Sequence, residues 1–150
     1  MTIYSLLVLI HIVAAVAGLG ASFAMPVVMN YPKNSSQARF SLDVNKKIEA
    51  FAKYGSLTLL ITGLIMGFIY PSLFKTGWYL VSLIIYLAVQ VITAGIMPKK
   101  IAKMTDIIAS HKEEDLPDSY KEINGSLRPY NMILHTSAVI LIILMSLKPF

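Results

Sequence analysis

Few side chains in this chain could do chemistry, and those few lie in apolar surroundings. His11 falls in a stretch without charge and shares a helical face with Ala14, Ala15, Gly18 and Ser22. Gly63 and Gly67 stand four apart in a second apolar stretch, and Gln90 lies in a third. Asn131 and His135 lie in a fourth, on one stripe with Arg128 and Ala138. If these stretches cross a bilayer, their polar side chains must face the interior of a helix bundle. An imidazole there can ligate iron beside a glycine groove that admits the edge of a haem, which makes His11 the candidate metal ligand. It can equally hydrogen-bond a neighbouring helix, with the glycines serving only to let helices approach. Residue types alone leave both readings open. His135 likewise reads as a second ligand or as a polar partner of Gln90 or Tyr86, whereas His111, beside Lys112 and Glu113, reads as a solvated surface histidine.

Several chemistries are excluded or lack residues. The chain has no cysteine, so disulfides, thiolate metal sites and thiol catalysis are impossible. The apolar stretches contain no Asp or Glu that could carry protons through a membrane. There is no phosphate-cradling glycine loop, no HExxH zinc motif and no set suited to serine hydrolysis. Met66, Met97, Met132 and Met145 offer thioethers that can bind haem iron or Cu(I), but they share no spacing with the histidines and read as core filling.

The elements that must position these residues follow from the charge map. Of 150 residues, 56% are hydrophobic and 14% charged, against roughly 25% charged in a soluble domain. Charges are absent from residues 1–32, 54–74, 76–98 and 129–147, and each window approaches or exceeds the about 20 residues that cross a hydrocarbon core. The expected fold is all-α and integral to a membrane: one domain, residues 1–150, forming a four-transmembrane-helix bundle. The first helix is expected over residues 3–29, bent or ended by Pro26, and retained rather than cleaved as a signal peptide. Residues 31–41 read as a loop, with Asp43 capping a second helix that starts near Val44. Pro98 marks the inner exit of the third span. Beyond it, Ile101, Met104, Ile107 and Ile108 form the apolar face of a helical extension expected to lie against the inner leaflet. Tyr70, Trp78 and Tyr79 suit an aromatic belt at the outer interface.

The net charge of +5 is distributed for a membrane surface and not for nucleic acid. Eleven of the 13 Lys and Arg residues lie between spans one and two or between spans three and four, and only Lys75 and Lys148 lie on the other side. The bias places both termini outside and the helical extensions in the cytoplasm. Helical rise then puts His11 about 12 Å deep from the outer boundary, and His135 about 20 Å deep, level with Gln90.

The two ends of the chain carry a resemblance. Ile10-His11-Ile12 is followed, fifteen positions after the histidine, by Met25-Pro26, and the last span runs from Leu127-Arg128-Pro129-Tyr130-Asn131 to Lys148-Pro149-Phe150. Both segments resemble HemJ-type protoporphyrinogen oxidases, and the broader set of small membrane proteins similar to CopD shares the first-helix histidine followed by small residues. The resemblance implies a bacterial cytoplasmic-membrane protein that binds haem b through His11, with Arg128 and Asn131 as supporting polar positions. Where the HemJ-type family has a third-helix lysine this chain has Ser82, and Met132 replaces an acidic residue. Oxidation of a porphyrin is therefore expected to be weak or absent, with Lys148 the better-placed substitute cation for its propionates. Two functions follow as expectations. One is a haem- or tetrapyrrole-binding membrane protein with oxidoreductase chemistry, built from His11, Gly63, Gly67, Arg128, Asn131, His135 and Lys148. The other is a non-catalytic packing module, as a homo-oligomer or a subunit of a larger membrane complex.

Overall fold

The computed structural model describes residues 2–150. Six α-helices follow one another: α1 (Ile3–Asn30), α2 (Ser35–Ile69), α3 (Gly77–Gln90), α4 (Met97–Ser110), α5 (Asp118–Ser126) and α6 (Arg128–Leu147). A 3-10 turn, Pro71–Lys75, joins α2 to α3, and a single π-helical turn, Val91–Ile96, makes α3 and α4 one continuous rod. Four helical stretches are long and apolar enough to cross a membrane: α1, α2, Gly77–Ser110 and Asp118–Leu147.

Pro26, expected to bend or end the first helix, does not end it, and Pro98, expected at the inner exit of the third span, lies within continuous helix. Pro26 lies inside α1, which continues to Asn30. Proline removes one i to i−4 hydrogen bond and crowds the carbonyl it would have used, which here is that of Ser22, and a lateral partner described below compensates. Pro98 sits in the first turn of α4, directly after the π turn. Such a turn widens the backbone where a proline ring would otherwise meet the preceding carbonyls.

The start of α2 corrects the sequence reading. The helix begins at Ser35, with the Asn34 side chain accepting the Gln37 amide at 2.9 Å, and Asp43 lies exposed within the helix. At 35 residues α2 is about 52 Å long, well beyond a hydrocarbon core of about 30 Å. Its first turns therefore stand outside the membrane and join α4 and α5 in a small cap. Met29, Ala38, Leu42, Met97, Met104, Ile108, Tyr120 and Leu127 form its core. The apolar face of α4 is consequently covered by protein and not by the leaflet, since Met104 and Ile108 are fully buried. Arg39 holds the end of α4, donating to the carbonyls of Ile108 and His111 at 3.2 and 2.6 Å, where the helix dipole favours a cation. The Ser35 amide donates to the Glu114 carbonyl at 2.9 Å, tying the acidic loop to the cap.

Within the membrane the helices form two pairs. α1 and α2 pack along their length, α3 packs on α6, and α1 touches α6 only sparsely. The closeness of the first pair comes from Gly18 and Gly55. A Cβ on Gly55 would lie 2.6 Å from the Gly18 backbone and 2.9 Å from the Ala14 carbonyl oxygen, so the two backbones are in contact. Ala14, Gly18 and Ser22 were legible as a small-residue face, but Gly55, their partner, was not. At the opposite end from the cap, the Trp78 amide donates to the Phe150 carbonyl at 3.1 Å. Tyr79 is not part of the aromatic belt: it is buried, and its hydroxyl donates to the Gly63 carbonyl at 3.0 Å.

Candidate functional site

His11 meets α2 at Thr62. The His11 Nδ1 lies 2.7 Å from Thr62 Oγ1, and the Thr62 hydroxyl in turn donates to the Thr58 carbonyl at 2.7 Å. A hydroxyl has one hydrogen to give. When that hydrogen goes to Thr58, Thr62 accepts from His11, in the tautomer that protonates Nδ1 and leaves the lone pair on Nε2. Histidine ligands to metals are commonly oriented in this way, by a partner on the other ring nitrogen.

Of the two glycines, Gly63 lies beside His11 and Gly67 is covered. A Cβ on Gly63 would come 3.5 Å from His11 Cε1, an ordinary contact. The space over Gly67 is occupied by the Tyr79 hydroxyl and the Phe74 ring, which any added Cβ would strike. Phe74 and Tyr79 meet edge to face, with centroids 5.2 Å apart. Haem ligation requires a free imidazole nitrogen and a face for the macrocycle. His11 supplies the first. Tyr79 and Phe74 close the face over Gly67, and both obstacles are side chains and not backbone.

His135 is elsewhere. Its ring stacks on Phe23, centroids 4.2 Å apart and planes 15° from parallel, and its Nε2 lies 3.4 Å from the Ser22 carbonyl oxygen. It pairs with neither Gln90 nor Tyr86. Ser22 is eleven residues beyond His11 on α1, about 16 Å along the axis, so the two histidines address different levels and the structure does not bring them together as a ligand pair.

A cavity of about 200 Å³ lies between the two helix pairs, with Ser56, Tyr86, Gln90, Thr93, Asn131 and His135 among its walls. The Tyr86 hydroxyl bonds to both the hydroxyl and the carbonyl oxygen of Ser56, and Gln90 Nε2 donates to Ser56 Oγ at 3.1 Å. Asn131, Gln90 and His135 thus share one chamber, as their facing inward required, but His11 is not among its lining residues. Its volume falls below the roughly 300–1,000 Å³ of ordinary small-molecule sites. Ser56 was missed in the sequence because a serine in an apolar stretch commonly bonds its own helix and carries no distinguishing spacing.

The remaining expected site residues lie at the two ends. Lys148 closes α6 with a left-handed backbone, φ 48°, and its Nζ stands 5.6 Å from the Trp78 ring centroid, a cation–π contact. Arg128 lines a different cavity at the cap. Ser82 is fully buried, with no partner for its hydroxyl among the described residues. His111, Glu113 and Asp115 form a cluster of metal-type side chains on the acidic loop. There His111 Nε2 already lies 3.0 Å from the Asp115 carbonyl oxygen, in keeping with a surface histidine.

No curated protein and no solved structure matches the chain. A family model does match, over residues 5–149, and its description is that of a predicted integral membrane protein. That span takes in all four membrane-crossing segments, the cap and every site residue above, and the chain belongs to this family, DUF2269.

Proposed function

We propose that this integral membrane protein binds haem b or a related tetrapyrrole through His11. The observation that carries the reading is the chain from His11 Nδ1 through Thr62 to the Thr58 carbonyl, which leaves an imidazole lone pair on a helix face beside Gly63. The likeness of the Ile10-His11-Ile12 segment and of the Lys148-Pro149-Phe150 end to HemJ-type proteins supports it. Bound haem would supply one-electron chemistry at its iron. Porphyrin oxidation is not expected, because the position of the missing lysine is a sealed serine. The test is the visible spectrum of purified protein, as isolated and after haem addition. A haem band lost in His11→Ala and kept in His135→Ala supports the reading, and protein that stays colourless after haem addition overturns it.

A second reading has its own support. Tyr79 and Phe74 fill the space over Gly67, and His11 is satisfied by Thr62, as in a bundle whose polar groups serve only to hold helices together. On that reading the protein is a non-catalytic module of a larger membrane assembly or a homo-oligomer. Colourless protein that co-purifies with a stoichiometric membrane partner, or that runs as a stable oligomer, would favour it.

A further inference from the structure

A second cavity, of about 220 Å³, lies at the cap, where α1 ends, α5 passes and α6 begins. Its walls include Asn30, Lys121, Asn124 and Arg128, and no carboxylate. Arg128 enters no ion pair among the described residues; those present are Lys53 with Glu49, His111 with Asp115 and Lys121 with Asp118. The last is solvent-exposed, with the Asp118 side chain fully open, and such pairs hold a lysine only weakly. Asn124 Nδ2 donates at 3.2 Å to both the Met29 carbonyl and Asn30 Oδ1. The carbonyl at the end of α1 is thereby satisfied, and the Asn30 amide hydrogens remain for another acceptor.

The depth of the cavity says what that acceptor is. Arg128 opens α6, whose 20 residues span about 30 Å, the thickness of the hydrocarbon core. Arg128 therefore sits at the level of the lipid phosphates, and α1, whose end lines the same cavity, is followed by the exposed Tyr31, an aromatic suited to the interface. Two cations, amide donors and no carboxylate, at headgroup depth on the end rich in Lys and Arg, match an anionic phosphate group. We propose that this cavity binds the phosphate of an anionic phospholipid, held by Arg128 and Lys121.

The test uses the full chain in nanodiscs made of equal parts phosphatidylcholine and phosphatidylglycerol, with retained lipid counted by native mass spectrometry after release. The expected result is preferential retention of phosphatidylglycerol, reduced about fivefold in Arg128→Gln and in Lys121→Gln, since each cation near an anionic surface contributes about that factor. Arg128→Lys should recover part of the effect. Lys148→Gln makes the same change in net charge at the opposite end and should leave retention unaltered. Displacement of the lipid by inorganic phosphate would assign the site to soluble phosphate through the same side chains, and resistance to it would assign it to lipid. Equal retention of the two lipids by the wild type, or an equal fall in Lys148→Gln, would overturn the proposal.

Discussion

His135 stands where Pro26 leaves a carbonyl without its donor. Proline at position 26 has no N–H for the Ser22 carbonyl, and His135 Nε2 reaches that oxygen from α6 at 3.4 Å. In lipid no water can take the place of a missing donor, and an unsatisfied carbonyl costs several kcal/mol. The bond is long, so its contribution is small, but it joins two helices that otherwise touch little. His135→Ala should lower the thermal stability of the purified protein by about 1 kcal/mol. In a Pro26→Ala background, where the helix supplies its own donor, the same change should cost less. Equal losses in the two backgrounds would show that the histidine acts only through its stack on Phe23.

Gly55 and Gly63 should respond oppositely to alanine. At Gly55 the new methyl would meet the α1 backbone at 2.6 Å, which only separation of α1 and α2 can relieve, at a cost of about 2 kcal/mol. At Gly63 it would sit 3.5 Å from His11 Cε1 and should be tolerated within about 0.5 kcal/mol. Unfolding of both variants in mixed micelles measures the contrast, and comparable destabilisation would contradict the packing described.

Thr62→Val keeps the volume of the side chain and removes the group that orients His11. If His11 ligates haem, affinity in a haem titration should fall about tenfold or more, as it does when partners of metal-bound histidines are removed. The His11→Ala variant should lose the band altogether. A haem-binding protein whose affinity is indifferent to Thr62→Val would show that the Nδ1 bond has no part in ligation.

Ser82→Lys should not create an oxidase. Ser82 has no exposed surface, and the charge-free stretch that holds it, residues 76–98, offers no carboxylate to pair a buried ammonium, so the substitution should cost about 3 kcal/mol or more and reduce the yield of folded protein. Ser82→Ala removes only a hydroxyl that has no partner and should be neutral or slightly stabilising. Neither variant, nor the wild type, is expected to restore growth to a strain lacking protoporphyrinogen oxidase. Robust rescue by the wild type would prove the expectation wrong, and its loss in Lys148→Gln would identify the cation responsible.

The architecture was legible in the sequence because crossing a bilayer is a one-dimensional constraint. Charge-free windows and helical rise set the number, length and approximate depth of the spans without reference to any partner. For the same reason Asn131, Gln90 and His135 could be assigned to the interior before their neighbours were known. Local signals were weakest where tertiary contacts compensate for a local cost: Pro26 was expected to bend or end its helix, yet α1 continues past it with a lateral histidine at the carbonyl it leaves without a donor. Residues 31–41 read as a loop and Asp43 as the helix cap because the first turns of α2 are polar, and only contact with α4 and α5 makes them a buried face. Which residues share a site depended wholly on the pairing of helices. Gly55 gains its meaning from Gly18, Ser56 from Tyr86 and Gln90, and Thr62 from His11. The periodicity of one helix fixes which residues share a face, but the rotation and offset of two helices come from packing between segments distant in the chain, and no spacing within either segment encodes them.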